Sequence, residues 1–238
     1  MADVKNSSLA TDLVSYWELE EASGTRFDSH GANDLTDNNT VGQAAGKIGD
    51  GADFEAGNRE YLSKTLGSTG LELTTSFSVA FWVKLETSAL QAFYQSGTNN
   101  NRWVIQHFGG NLFFTEDNIA DFVSIGTLPV GTFAHVAVTK DGNAASNLKI
   151  YLNGSLDRTF SCGTVATPTG SAWVGAYGST PGRYCDGVLD EFGIWSKALT
   201  STEVSDLYNS GAGIPYDAGG GGGGGAAQTA RRGAVMMM

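Results

Sequence analysis

Closely spaced Asp, Asn and Gly residues near the N-terminus are of the types that bind a hard cation. The segment runs Asp28-Ser-His-Gly-Ala-Asn33-Asp34, and its composition favours a tight turn whose carboxylate and carbonyl oxygens face one point. Calcium takes roughly six to eight such oxygens. The segment lacks the glutamate at the twelfth position of an EF-hand loop. Because short turns of this composition are common, the segment is weak evidence by itself.

A second carboxylate lies in a strand pattern near the C-terminus. Asp190 shares the apolar phase of Val188, Phe192 and Ile194, so strict alternation turns its side chain inward. An inward carboxylate is costly unless it is paired, hydrogen-bonded or bound to a metal. Three interpretations stay open: Asp190 binds a metal, Asp190 accepts hydrogen bonds from backbone amides at a strand end, or Glu191 is the inward residue.

Two loops combine aromatic rings with amide and guanidinium groups, a mixture typical of sugar-binding sites. They span residues 96–103 and 177–184. The candidate ligand-binding residues are Asn100, Arg102, Trp103, Tyr177, Arg183 and Tyr184. Ordinary polar hairpin tips above strand aromatics have the same composition, so that interpretation also stays open.

The elements that would position these residues are mainly strands. Alternating apolar residues at 77–85 predict a half-buried strand, and Asn153-Gly154 predicts a tight hairpin. The run Thr200-Ser-Thr-Glu203 is a capping box, which predicts a short helix with Gly211 at its C-terminal cap. About a dozen strands and one helix indicate a two-sheet sandwich.

Charge and hydropathy exclude several classes of partner. The chain has 238 residues, 14 Lys and Arg against 25 Asp and Glu, and a net charge of −11. A protein this acidic is repelled by phosphate, so we expect no nucleic acid and no anionic membrane as partner. We also expect no membrane insertion, because no apolar run reaches about 18 residues. The first eight residues contain no apolar segment of a secretory signal, so we expect either a trimmed signal or release without one.

Cys162 and Cys185 are the two cysteines of the chain. Two cysteines do not form a metal site by themselves. The sequence leaves open whether they are buried free thiols or a disulfide, which would require an oxidising compartment.

Several motifs follow one another in a fixed order over about residues 10–212. They are Leu13-Val-Ser-Tyr-Trp-Glu-Leu-Glu-Glu-Ala-Ser-Gly24 with Asp28-Ser-His-Gly31, Gly46-Lys-Ile-Gly-Asp-Gly-Ala-Asp-Phe54, Phe77-Ser-Val-Ala-Phe-Trp-Val83, Phe133-Ala-His-Val-Ala-Val-Thr-Lys-Asp-Gly142, Ile150-Tyr-Leu-Asn-Gly154 and Asp186-Gly-Val-Leu-Asp-Glu-Phe-Gly-Ile-Trp195. As an ordered set they resemble laminin G-like, concanavalin A-like jelly-roll domains. The resemblance implies an all-β fold, a two-sheet antiparallel jelly-roll sandwich with one short C-terminal helix, and it places both chain ends of the body together.

The same resemblance implies a bound ion and a covalent link. Many members of the family hold a structural calcium, and the corresponding ligands here are Asp28, Asn33 and Asp190. His30 stands where the family usually has a small residue. We therefore expect one Ca²⁺ that ties the N-terminal segment to the last strand. Laminin G-like domains often have a disulfide in their C-terminal part, which implies the pair Cys162–Cys185.

Catalysis is not expected. Glucanases with this fold carry two glutamates on one strand face in the pattern Glu-x-Asp-x-x-Glu, and this chain has no such run. Asp190 and Glu191 are adjacent, so on a regular strand they face opposite sides. His135 lies in a strand pattern and is expected to be packed, and no Gly-x-Ser-x-Gly, P-loop or dinucleotide fingerprint occurs.

These observations predict a non-catalytic, lectin-like module that binds surface glycans from a virion or another extracellular position. Residues 1–217 form the jelly-roll domain, and residues 218–238 form a glycine-rich tail that ends in basic and methionine residues. The tail is either a flexible linker or an anchor that contacts protein subunits of an assembly. The alternative function is a structural or decoration protein of a phage particle, anchored by that tail, with no glycan binding.

Overall fold

The structure is a computed structural model that describes residues 3–98, 102–116, 120–178 and 183–217. In these residues the chain forms fifteen strands and one α-helix. The elements are β1 (Leu13–Trp17), β2 (Thr36–Asn38), β3 (Gly42–Ala45), β4 (Asp50–Phe54), β5 (Tyr61–Thr65), β6 (Phe77–Leu85), β7 (Gln91–Ser96), β8 (Trp103–Phe108), β9 (Asn111–Glu116), β10 (Ala120–Thr127), β11 (Phe133–Lys140), β12 (Leu148–Leu152), β13 (Ser155–Phe160), β14 (Ser171–Val174), β15 (Gly187–Trp195) and α1 (Ser201–Tyr208).

The strands form two antiparallel sheets. The eight-stranded sheet has the order β13-β12-β11-β6-β15-β4-β3, and β1 also pairs with β15. The seven-stranded sheet has the order β10-β9-β8-β7-β14-β5-β2. The crossovers between distant strands join the sheets into a sandwich around one large apolar cluster. The predicted jelly-roll sandwich with one short C-terminal helix is confirmed.

Strand β6 is more buried than its alternation predicts. One face, which includes Phe77, Phe81 and Leu85, lies in the core between the sheets. The opposite face is covered too, because Ala80 belongs to a second apolar cluster formed with α1 and the chain ends, and Trp82 is 3% exposed. The half-buried prediction is therefore wrong for this strand, since alternation does not reveal what packs on the polar phase.

Helix α1 begins as the capping box predicts. The Thr200 hydroxyl accepts a hydrogen bond from the Glu203 N–H (3.2 Å), and the Glu203 carboxylate accepts one from the Thr200 N–H (2.8 Å). The helix ends at Asn209, whose backbone is left-handed with φ of 46°, rather than at the predicted Gly211. Asn also tolerates this conformation, so the cap lies earlier than the glycine.

The two ends of the described body lie side by side. The Val4 N–H donates to the Pro215 carbonyl (3.1 Å), and the Lys5 N–H donates to the Tyr216 carbonyl (2.9 Å). This closure confirms the expected meeting of the body's ends. None of the helices described is long and apolar enough to cross a membrane. The predicted tail, residues 218–238, lies outside the described residues.

Candidate functional site

A stack of aromatic rings lies on the outer face of the seven-stranded sheet. In β5 and β14, Leu62 and Val174 belong to the core cluster, so alternation places Tyr61 and Trp173 on the opposite face. Their ring centroids are 4.2 Å apart and nearly parallel, at 23°. The ring of Tyr184 lies 6.5 Å from that of Tyr61. All three aromatic residues of this stack are only partly buried, so an incoming molecule can reach them.

Two arginines lie over a neighbouring ring. The guanidinium carbons of Arg102 and Arg183 are 4.9 and 4.7 Å from the centroid of Tyr177. Tyr177 itself is 7% exposed and packs with Ala92 and Val104. The buried ring therefore serves as a fixed support for two partly exposed cations.

Hydrogen bonds fix Arg183 on the sheet. Its Nη1 donates to Gln106 Oε1 (3.1 Å), and its carbonyl accepts from the N–H groups of Ala92 (3.3 Å) and Tyr177 (3.2 Å). Tyr184 continues this pairing through an isolated bridge to Ala176. The base of the second candidate loop is thus held against β7 and the segment that follows β14.

We call this surface the aromatic–arginine face. Its members are Tyr61, Arg102, Trp173, Tyr177, Arg183 and Tyr184. Burial raises the pKa of the Tyr61 hydroxyl, and Tyr184 raises it further. The phenol is therefore neutral at physiological pH and can donate a hydrogen bond. Aromatic faces suit the C–H edges of an apolar or sugar ring, and guanidinium groups suit carboxylate or sulfate oxygens.

The structure brings together four of the six predicted ligand-binding residues: Arg102, Tyr177, Arg183 and Tyr184. Asn100 lies outside the described residues. Trp103 is wrong as a ligand-binding residue, because it is fully buried, stacks on Phe77 at 4.6 Å and donates its Nε1–H to the Leu73 carbonyl (3.3 Å).

The alternation of β8 explains the error and reveals what was missed. Trp103 shares the inward phase of Ile105, whereas Gln106 lies on the outer phase. Sequence reasoning also missed Tyr61 and Trp173. The same signal was available there, since Trp173 alternates with the apolar residues of β14.

Among the predicted calcium ligands, Asp28 is already satisfied by the backbone. Its Oδ1 accepts hydrogen bonds from the N–H groups of Tyr16 (3.0 Å), His30 (3.1 Å) and Gly31 (2.8 Å), and its Oδ2 accepts from that of Asn33 (3.0 Å). Four N–H donors stabilise the carboxylate charge without a cation. Asp28 therefore fixes the turn between β1 and β2.

Asn33 is held in the same turn. Its Nδ2 donates to Ser15 Oγ (2.8 Å) and to the Thr69 carbonyl (3.0 Å), and its carbonyl accepts from Trp17 Nε1 (2.9 Å). These bonds tie the turn to β1 and to the segment before β6. The structure thus brings Asn33 and Asp28 together, and protein hydrogen bonds rather than a shared cation hold them there.

Asp190 has a different environment. It is fully buried, and its Oδ2 accepts from the N–H groups of Lys47 (2.6 Å) and Ile48 (2.9 Å). No described residue donates a hydrogen bond to Oδ1. Burial raises the pKa of this carboxyl to about 7. Of the three predicted ligands, Asp190 alone has a buried oxygen that no described residue hydrogen-bonds, and within the described ranges no three His, Cys, Asp or Glu side chains form a metal-binding group.

Glu191 is buried, although regular alternation predicts an exposed side chain, and its partner Tyr16 belongs to the second apolar cluster rather than to the core between the sheets. Its backbone is left-handed, with φ of 50°, at a bulge in the pairing of β15 with β6. The side chain is 5% exposed, and its Oε2 accepts from the Tyr16 hydroxyl (2.6 Å). Burial and the neighbouring Asp190 both raise the pKa of Glu191.

The predicted disulfide is wrong for this structure, in which both cysteines are free and buried. Cys162 lies beside Glu116 (Sγ to Oε2, 3.9 Å) and Asn147, whereas the Cys185 N–H donates to the Gly175 carbonyl (2.8 Å). The two cysteines therefore have different neighbours. Burial raises the pKa of Cys162 to about 11 and also raises that of Cys185.

His135 is packed against neighbouring side chains, as expected. It is 2% exposed, its ring lies 5.2 Å from Trp82, and burial lowers its pKa to about 3. No described residue hydrogen-bonds its Nδ1. The imidazole is therefore neutral at physiological pH.

Solved structures share this fold. Domain 4 of AbnA, a GH43 extracellular arabinanase from Geobacillus stearothermophilus solved in complex with arabinotriose, has a TM-score of 0.68 and 22% identity. The match covers 83% of this chain and 98% of that domain. At this identity the likeness establishes the fold alone.

Toxin binding domains are similar over part of their length. The binding domain of Paraclostridial Mosquitocidal Protein 1 has a TM-score of 0.65 and 16% identity, with coverage of 85% of this chain and 53% of that one. A structure of botulinum neurotoxin type C, a toxin whose cell entry depends on interaction with two ganglioside molecules, has a TM-score of 0.66 and 16% identity. The match covers 86% of this chain and 52% of that one. This chain spans about half the length of both.

Comparison with curated protein sequences gives no significant match. A family model does match, over residues 57–205, from the helical turn before β5 into α1. That range is more than half of the chain and includes most of the strands described above. The chain belongs to the concanavalin A-like lectin/glucanases superfamily.

Proposed function

We propose that this protein is a non-catalytic glycan-binding module and that the aromatic–arginine face is its binding surface. The observation that carries the proposal is the partly exposed stack of Tyr61 on Trp173, with Tyr184 beside it and two arginines fixed over Tyr177. Rings held in place by a sheet lose little entropy on binding, so they suit recognition of a sugar ring by stacking.

The comparisons support the same class of function. The similar arabinanase domain was solved with arabinotriose, and the similar toxin chains are binding domains. Those proteins are extracellular or act as toxins, which supports an extracellular or surface-exposed position for this one. Display on a virion, with residues 218–238 as the contact to other subunits, is the more specific form of the proposal and rests on the sequence alone.

Calcium is part of the proposal, with Asp190 as the ligand that the structure favours. A bound calcium ion would supply positive charge to the Asp190 Oδ1, which no described residue hydrogen-bonds. Asp190 already holds the turn at Lys47 and Ile48 through its other oxygen. Neutralising it would therefore stabilise the contact between β15 and the segment that connects β3 to β4.

The test is binding of the full chain to a glycan array, compared between wild type, Trp173→Ala and Phe133→Ala. Phe133 is a matched control because it is a partly buried aromatic residue of β11, in the other sheet. We expect wild type and Phe133→Ala to bind the same sugar class and Trp173→Ala to lose at least tenfold in affinity. Equal binding by all three folded proteins, or binding by none, would overturn the proposal.

A further inference from the structure

The sheet surface around the Tyr61–Trp173 stack carries no charged side chain on its own strands. The strands β2, β5 and β14 lie next to one another at one edge of the seven-stranded sheet. Their charged residues are Asp37 and Lys64, and both share the phase of Leu62 and Ala172, which belong to the core. The outward residues are Thr36, Asn38, Tyr61, Ser63, Thr65, Ser171 and Trp173. In a protein of net charge −11, this uncharged surface favours a neutral ligand.

Two polar residues of this surface lie directly beside the stack. Asn38 in β2 is the cross-strand partner of Tyr61 in β5, and Ser63 in β5 is the cross-strand partner of Trp173 in β14. Side chains of such partners on one face of a sheet are close neighbours. Asn38 and Ser63 are both only partly buried, so a sugar ring that lies on the stack can reach their polar groups.

Hydrogen bonds decide which groups of this pair are available. The Asn38 Nδ2 donates to Ser63 Oγ (2.9 Å) and to the Thr36 carbonyl (2.9 Å), which uses both N–H groups of the amide. The Asn38 Oδ1 therefore remains as an acceptor. Ser63 Oγ accepts from Asn38, so its own proton remains to be donated. Among the described residues, neither of these two groups has a further hydrogen-bond partner.

We propose that the sugar unit on the Tyr61–Trp173 stack is neutral and that Asn38 and Ser63 select it through two adjacent hydroxyl groups. One hydroxyl accepts from Ser63 Oγ, and the other donates to Asn38 Oδ1. This inference rests on the proposed glycan binding and names the class of sugar together with two specificity-determining residues. The hydrogen bond between Asn38 and Ser63 orients both side chains before binding, so little side-chain entropy is lost when the sugar binds.

The experiment uses the full chain on an array of neutral disaccharides built from glucose, galactose or mannose. Each disaccharide is accompanied by its monodeoxy forms, each of which lacks one hydroxyl group, and by its uronic acid form. For the tightest-binding neutral disaccharide, removal of either of two adjacent hydroxyls should weaken binding by about three- to tenfold, in line with one net hydrogen bond. The uronic acid form should bind no more tightly than the neutral one.

Variants assign each hydroxyl to a side chain. Ser63→Ala should weaken binding of the neutral disaccharide by about the same factor, but it should not change the affinity for the monodeoxy form that lacks the hydroxyl bound by Ser63. Asn38→Ala should behave in the same way towards the form that lacks the adjacent hydroxyl. Ser63→Thr keeps the hydroxyl and should keep the wild-type affinity.

Ser155→Ala is the matched control, because Ser155 is an exposed serine of β13 in the other sheet. It should bind every disaccharide as the wild type does. Melting temperatures of all variants establish that they are folded.

The outcomes separate this inference from the proposed function. If Trp173→Ala abolishes binding but Ser63→Ala and Asn38→Ala bind every disaccharide as the wild type does, glycan binding stands and selection by this pair is overturned. Tighter binding of the uronic acid forms overturns the neutral class. Binding of no saccharide by the folded wild type overturns both proposals.

Discussion

The carboxylates of Asp190 and Glu191 are both buried, although the two residues are consecutive in one strand. The left-handed backbone at Glu191 and the register shift between Asp190 and Gly193 break the alternation of β15 at this point. Asp190 then holds the Lys47 and Ile48 amides, and Glu191 accepts from Tyr16. Two buried carboxylates next to one another are costly unless their charge is neutralised or compensated by hydrogen bonds.

Removal of calcium should lower the melting temperature of the wild-type protein and leave that of Asp190→Asn unchanged. Asp190 has a buried oxygen that no described residue hydrogen-bonds, and a ligand at about 100 times its Kd stabilises the fold by about 2.7 kcal/mol. Calorimetry with added calcium and with EDTA measures the difference. Asp28→Ala is the contrast: it should melt lower in both conditions and keep the response to EDTA, because its oxygens already accept four N–H groups. A wild type indifferent to EDTA would contradict the site.

The two tryptophans in and near the candidate loops should respond oppositely to truncation. Trp103→Ala should lose about 3–5 kcal/mol of unfolding free energy, since it empties a buried site against Phe77. Trp173→Ala should cost much less stability and abolish glycan binding. Urea unfolding and array binding of both variants check this pair, and a large loss of stability in Trp173→Ala alone would refute the assignment.

Gly178→Ala should weaken glycan binding without unfolding the protein. A Cβ at Gly178 would stand 2.8 Å from Cζ3 of Trp173, so the indole must move off its stack with Tyr61. Gly163→Ala is the control, because a Cβ there meets nothing within 4 Å. Titration calorimetry with the best array ligand should give weaker binding for Gly178→Ala only, and unchanged affinity would mean that the stack is not the binding surface.

His135 should make the fold acid-sensitive. Burial lowers its pKa from 6.5 to about 3, so below pH 6.5 the unfolded chain binds a proton that the folded chain does not. Stability is therefore fully present above pH 6.5 and falls by at most about 1.4 kcal/mol per pH unit towards pH 3. Denaturant unfolding of wild type and His135→Gln at neutral and acidic pH gives the pH dependence of the unfolding free energy for each protein. Asp190 and Glu191 are present in both proteins, so their contributions cancel in the difference. Parallel profiles would contradict the prediction.

Both cysteines should resist thiol reagents in the folded protein. They are buried, and burial raises the pKa of each, so little thiolate exists at neutral pH. In denaturant without reductant, two thiols per chain should react. Quantitative alkylation followed by mass measurement distinguishes this from a disulfide, which would leave the denatured chain unlabelled.

Local signals in the sequence were sufficient for the elements and the fold class. Asn153-Gly154 forms the hairpin between β12 and β13 with left-handed backbone at both residues, as such a turn requires. The capping box starts α1 at the predicted residue. These features depend on residues a few positions apart, so their physics is visible in the sequence.

Only the tertiary structure decided which side chains meet. Alternation alone does not place the bulge at Glu191, and it does not bring Arg102 and Arg183, from distant parts of the chain, over one tyrosine ring. It also does not reveal that Cys162 and Cys185 have separate neighbours. The phase of a strand residue tells which face it occupies, whereas its partners come from the order of strands in the sheet, which long-range packing sets.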